Sequence, residues 1–163
     1  ALTWEQEFDS IIDQNMDIFV QIPCIGFIAK TDSKCWSFSQ SKYGKQESNE
    51  CTGKPNGTTW CSQDAGNGVW INGTNVVGND PNDAYIPTNT NDVKEYITNI
   101  FNRYGNSIKN AVVFSIDNEP TLWHNTHRDI HPIGSTYDEI WNKTLIYGKA
   151  IKNTCNELNK TCI

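Results

Sequence analysis

Apolar residues recur at helical spacing in three places along this chain and run together in two others. Thr3-Trp4-Glu5-Gln6 has the form of a capping box, and Phe8, Ile11, Ile12 and Met16 follow on one helical face, which predicts a helix over about 3–15. Residues 17–30, "DIFVQIPCIGFIAK", are β-branched and aromatic, and too apolar on both sides for a surface helix. They predict a buried strand, with Pro23 and Gly26 marking an irregular end. From Asp92, the residues Val93, Ile97, Ile100, Phe101 and Tyr104 form a second helical stripe, closed by Gly105 where a helix C-terminus favours glycine. Residues 111–117 read as a second strand. Thr136 and Glu139 then suggest another capping box, opening a helix whose predicted buried side is Ile140, Trp141, Leu145, Ile151, Cys155 and Leu158.

Between Thr31 and Thr90 the pattern dissolves. This stretch carries Cys35, Cys51 and Cys61 together with Trp36, Trp60 and Trp70, and predicts an ordered, disulfide-pinned excursion. Its tryptophans either line a binding cleft or pack beneath the loop, and the cysteines beside them favour packing. The order helix, strand, long loop, helix, strand, loop, helix implies parallel strands covered by helices, an α/β fold. Two strands neither close a barrel nor complete a sheet, so the chain reads as part of something larger.

Composition narrows the partners. With 13 Lys and Arg and a net charge of −6, the chain has no basic face for nucleic acid or for an anionic membrane surface. No apolar run approaches the roughly 20 residues that cross a bilayer. Neutral, polar substrates remain. Six cysteines, at positions 24, 35, 51, 61, 155 and 162, form an even set without zinc-finger spacing, and fifteen disulfide connectivities are open to them. Cys155 and Cys162 either pair locally or tie the chain to a partner. Four Asn-x-Thr sequons, at Asn56, Asn72, Asn142 and Asn159, join the cysteines in predicting a secreted or lumenal protein. The chain opens at Ala1 without an initiator Met or a signal peptide, as a processed protein or a piece of a longer one would.

The chemistry gathers in "AVVFSIDNEPTLWHNTHRDIHP", residues 111–132. A strand that ends in Asp117-Asn118-Glu119-Pro120 is either a polar turn or an active site, because α/β barrels carry their reacting groups at the C-terminal ends of strands. A carboxyl there, among apolar and aromatic neighbours, would hold its proton near neutral pH and protonate a leaving-group oxygen. Asn118 has amide hydrogens for a sugar hydroxyl. Arg128 and Asp129 are expected to pair with one another at the surface, contributing little.

The run "FSIDNEPTLWHNTHRDIHP" closely resembles the signature of glycoside hydrolase family 44, a Leu-Asp-Asn-Glu-Pro-x-Leu-Trp followed by a Thr-His and an Ile-His-Pro. The resemblance extends back through "NMDIFVQIPCIGFIAK" and the 92–105 helix with Tyr104-Gly105, and forward through "EIWNKTLIYGKAIK"; it is strongest over 111–152. It implies a (β/α)8 barrel accompanied by a β-sandwich, of which residues 1–163 would supply about strands three and four with their flanking helices. The 31–90 stretch would be a Cys/Trp-rich insertion without a counterpart in the family pattern. It also implies retaining, endo-acting hydrolysis of β-1,4-glucan, cellulose-like or xyloglucan, with no cofactor. By position Glu119 matches the general acid/base and Asn118 the asparagine before it. Trp123, beside the cleft, is expected to stack on a pyranose ring, and His124 to join it in binding substrate. His124, His127 and His131 would form the cleft wall rather than a metal site. Retaining chemistry needs a second carboxylate as nucleophile, about 5–5.5 Å from the first. Asp117, on the same strand end as Glu119, is a poor candidate. The nucleophile is expected from the rest of the barrel, on a parent or companion chain. The competing reading is a non-catalytic, carbohydrate-binding or structural glycoprotein on a glycosidase-like fold.

Overall fold

A computed structural model describes residues 3–108 and 111–163; residues 1–2 and 109–110, and with them the opening Ala1, lie outside it. The elements α1 (Trp4–Asp13), β1 (Ile18–Ile22), β2 (Phe27–Ala29), α2 (Gln40–Tyr43), β3 (Tyr85–Pro87), α3 (Thr90–Tyr104), β4 (Val112–Ile116), α4 (Trp123–Thr126) and α5 (Tyr137–Glu157) follow one another. The expected capping box opens α1: the Thr3 amide donates to Gln6 Oε1 (2.9 Å) and its hydroxyl accepts from the Gln6 amide (3.3 Å).

β1 and β4 pair in parallel, from Ile18 opposite Val112 to Ile22 opposite Ile116. Cys162 and Ile163 extend this sheet along the other edge of β4: the Ile163 amide donates to Val112 O (3.0 Å) and the Phe114 amide to Ile163 O (2.8 Å). The sheet thus has the parallel, helix-covered order that the alternating elements predict. Ile18, Val20, Ile22 and Val112 join Val93, Ile97, Ile100 and Phe101 of α3 and Tyr147, Ile151 and Cys155 of α5 in one core. Ile97 and Ile100 retain no exposure, and each such side chain contributes about 1.5–3 kcal/mol. All five residues of the predicted α3 stripe are buried.

Two expectations are corrected. Residues 17–30 are not one doubly buried strand: β1 alternates, leaving Phe19 66% exposed on the face away from the helices, and the chain breaks after Ile22 before β2 begins. Gly105 caps α3 where it was expected, at φ −57°, and a Cβ there would come within 2.3 Å of Phe101 O. The buried side of α5 runs through Tyr147, Ile151, Thr154 and Cys155, whereas Trp141 and Leu145 are exposed.

The excursion leaves and returns through β2 and β3, which pair antiparallel and form its neck. Inside, Cys51 and Cys61 are disulfide-bonded, and Cys155 joins Cys162, fastening the Cys162–Ile163 segment to α5. Cys24 and Cys35, counted among the disulfide candidates, are unpaired: Cys24 is buried at the exit of β1 and Cys35 lies in the excursion. The order of the excursion depends on Gln46, 3% exposed, whose amide donates to Phe38 O (2.8 Å) and accepts from the Gly68 amide (2.5 Å). Of the tryptophans there, Trp36 and Trp70 are half-buried and Trp60 is exposed. Among the described residues no helix is long and apolar enough to cross a membrane.

A Cβ on Gly66 would lie 2.1 Å from Gln46 Oε1. Gly66→Ala should therefore displace Gln46, leaving buried groups unpaired at about 1–3 kcal/mol. Amide exchange across 38–70 should speed up while α3 and α5 stay protected. Unchanged exchange in the variant would refute the role given to Gln46.

Candidate active site

β4 ends at Ile116, and the chain then makes two left-handed residues in three positions, Asp117 (φ 53°) and Glu119 (φ 44°). Such backbone costs on the order of 1–2 kcal/mol per non-glycine residue, and aspartate tolerates it better than glutamate. Asp117 is held by main-chain donors. Its Oδ2 accepts from the amides of Cys24 (2.7 Å) and Ile25 (3.1 Å), its Oδ1 from the Asn118 amide (2.7 Å), and its own amide donates to Ile22 O (2.8 Å). Glu119 precedes Pro120, whose ring disfavours the right-handed helical region for the residue before it. The Leu122 amide donates to Glu119 O (2.8 Å) and Ser135 Oγ to Pro120 O (2.9 Å), so the backbone around Glu119 is tied down. The Glu119 side chain is exposed, not enclosed by apolar neighbours within this chain, and has no hydrogen-bond or ion-pair partner among the described residues. Asn118 beside it is also exposed.

Trp123 does not serve as a sugar platform. It is 0% exposed, packed with its ring centroid 5.2 Å from that of His131 and with Lys143 Nζ 5.0 Å from its own centroid. An indole without exposed surface in this chain has no face to offer a pyranose. The second capping box is only half formed for a related reason: Thr136 Oγ1 accepts from the Glu139 amide (3.1 Å), but the Glu139 carboxylate turns to His131 Nε2 (2.8 Å). That hydrogen bond, with the nearby charge of Lys143, holds the Glu139 carboxyl below the usual glutamate range against the opposing effect of burial. Lys143 also donates to the carbonyls of Cys24 (3.2 Å) and Ile25 (2.9 Å). Burial, followed by the Asp117 charge, pushes the Cys24 thiol up to about 12, so it is inert.

The histidines diverge. His131 belongs to the Trp123–Glu139 cluster, while His124 lines a cavity of about 350 Å³ with Val76, Asn79, Arg128 and Ile130, between the excursion and the loop after β4. Arg128 and Asp129 do not pair with each other, contrary to expectation. Arg128 donates to Gly68 O (2.5 Å) and Asn67 O (3.0 Å) and lies over the Phe38 ring, and Asp129 accepts from Ser37 Oγ (2.5 Å). Both fasten the excursion to the candidate site, because unpaired excursion carbonyls and a hydroxyl compete successfully for them. The four sequon asparagines, Asn56, Asn72, Asn142 and Asn159, are all exposed.

The family model of glycoside hydrolase family 44 matches residues 4–161. The chain belongs to that family. Endoglucanase A of Paenibacillus lautus is 39% identical over 61 residues, 36% of this chain and 9% of the relative. The crystal structure of CelM2, a bifunctional glucanase-xylanase from a metagenome library, is 35% identical at a TM-score of 0.75, covering 91% of this chain and 29% of its own. This family 44 chain therefore spans under a third of that structure and under a tenth of the curated relative. The mixed α/β fold is common to it and the solved family neighbour.

Lys143 and Glu139 were not singled out as site residues by sequence; their i,i+4 spacing on α5 was the available signal. Glu139→Gln should lower the melting temperature at neutral pH by about 2–6 °C. A carboxyl held low in the folded state stabilises above its unfolded value of about 4.3, and that contribution is lost as pH falls through the folded value. The deficit should accordingly close on acidification below pH 4; a deficit that widens there would contradict the His131–Glu139 pairing.

Proposed function

We propose that this chain carries the general acid/base half of a retaining endo-glycoside hydrolase acting on β-1,4-glucan. Glu119 is the proton donor and Asn118 a ligand for a sugar hydroxyl beside it; His124 borders the cleft from the excursion side. The observation that carries this reading is the unpaired Glu119 carboxylate, held by two left-handed residues and Pro120 at the C-terminal end of a parallel strand. In the first step the Glu119 proton passes to the glycosidic oxygen as the C1–O bond breaks and a second carboxylate bonds to C1. In the next, Glu119 takes a proton from water, which displaces that carboxylate.

The nucleophile and the remaining strands come from the rest of a (β/α)8 barrel, on a parent or companion chain, with β1 and β4 as about its third and fourth strands and 31–90 as a disulfide-pinned loop of the catalytic domain. Two features support this. The open face of β1, with Phe19 and Gln21, is the one a barrel would turn inward. Apolar grooves of about 330 and 440 Å³ also flank the sheet, one beside Ile22 and Tyr96, the other beside Phe114, Leu145 and Ile163. The names of the two relatives point to glucan and xylan as substrates. Two disulfides and four exposed sequons support an extracellular or lumenal setting.

In the complete enzyme, Glu119→Gln should lower kcat on unactivated β-glucan by about 10²–10⁴-fold while glucan binding persists. Turnover at the parent rate would end the acid/base assignment; a parent protein that binds glucan without hydrolysing it would instead favour a binding protein.

A further inference from the structure

The geometry points to Asp117 as the residue that positions Glu119 for proton transfer, acting with Lys143 through the Cys24–Ile25 segment. The inference rests on the reading of Glu119 as the acid. Both oxygens of Asp117 are committed to main-chain amides: Oδ2 to Cys24 and Ile25, Oδ1 to Asn118. Three of its roughly four acceptor positions are thereby taken up by main chain. Lys143 grips the carbonyls of the same two residues, Cys24 and Ile25, from α5. One dipeptide at the exit of β1 is thus held by its amides from β4 and by its carbonyls from α5. Charge-assisted bonds of this kind are about twice as strong as neutral ones.

What the clasp holds is the height and direction of the turn that carries Glu119. Asp117 and Glu119 are both left-handed, a backbone that persists only where its surroundings over-determine it. The Asp117 bonds supply that constraint on the side of the strand, and Pro120 and Ser135 supply it beyond Glu119. An asparagine at 117 keeps the shape but replaces one accepting oxygen with an NH2 group. At least one of the three amides then faces a donor, and the turn relaxes. A displacement of about 1 Å at the acid suffices for a loss on the order of 10²-fold.

The test separates proton donation from general damage. In the complete enzyme, Asp117→Asn, Lys143→Met and the reference Glu119→Gln are assayed on unactivated β-glucan. The pre-steady-state burst of dinitrophenolate from dinitrophenyl β-cellobioside is measured in parallel, since that leaving group departs without a proton. Asp117→Asn is expected to lower kcat on glucan about 10–100-fold with KM little changed, and the burst rate less than about threefold. Lys143→Met should repeat the pattern more weakly, and it decides the matter if Asp117→Asn does not fold. Equal losses on both substrates, or no loss on glucan, would reduce the clasp to ordinary structure and overturn the inference. Glu119→Gln without the leaving-group signature would instead remove the acid assignment itself, so the two failures are distinct.

Discussion

The parallel register in which Ile18 lies opposite Val112 and Ile22 opposite Ile116 sets the level at which the two strands end. Because side chains alternate along a strand, a slip of one residue would turn Ile18, Val20 and Ile22 away from α3 and α5, and the core would be lost. The same register brings the exit of β1 beside the exit of β4, where Asp117 can reach the Cys24 and Ile25 amides. Hydrophobic burial below therefore fixes the geometry of polar chemistry above. A parallel pair also demands a long crossover, and this chain fills it with both an excursion and a helix.

Outside the helices and the ladder, order comes from side chains bonded to main chain. Gln46 organises the excursion from within, and Arg128 and Asp129 attach it to the loop beyond Glu119. Lys143 does the same for the segment after β1. Gln46, Arg128 and Lys143 satisfy backbone groups that no regular element pairs, the condition for burying irregular chain, and Asp129 takes the Ser37 hydroxyl. The charges of Arg128 and Lys143 are directed to main-chain carbonyls.

The α1 cap, the α3 stripe and the apolar run of β4 were legible in the sequence because each is a local pattern with its own period. The strand-end motif stood out in the sequence as candidate chemistry because a carboxylate and a proline interrupt an apolar run. The β2–β3 neck was not: two three-residue strands paired across the whole excursion leave no periodic trace. Nor was the burial of Trp123, which opens the one-turn helix α4, where exposure depends on tertiary neighbours, here His131 and Lys143. The exposed N-terminal half of α5 misled for another reason. Its apolar residues mark a surface that this chain does not cover, and periodicity reports only that a face is apolar.

Glu119 occupies a conformation suited to glycine or asparagine, neither of which carries a carboxyl. If Glu119 has the proposed role of acid, the demands of durability and of turnover oppose each other at this one position. Selection for heat resistance alone would drift toward glycine there, discarding the acid to relieve the backbone. A family member that keeps the glutamate must recover that stability elsewhere, and the buried isoleucines of α3 are where this chain holds its reserve.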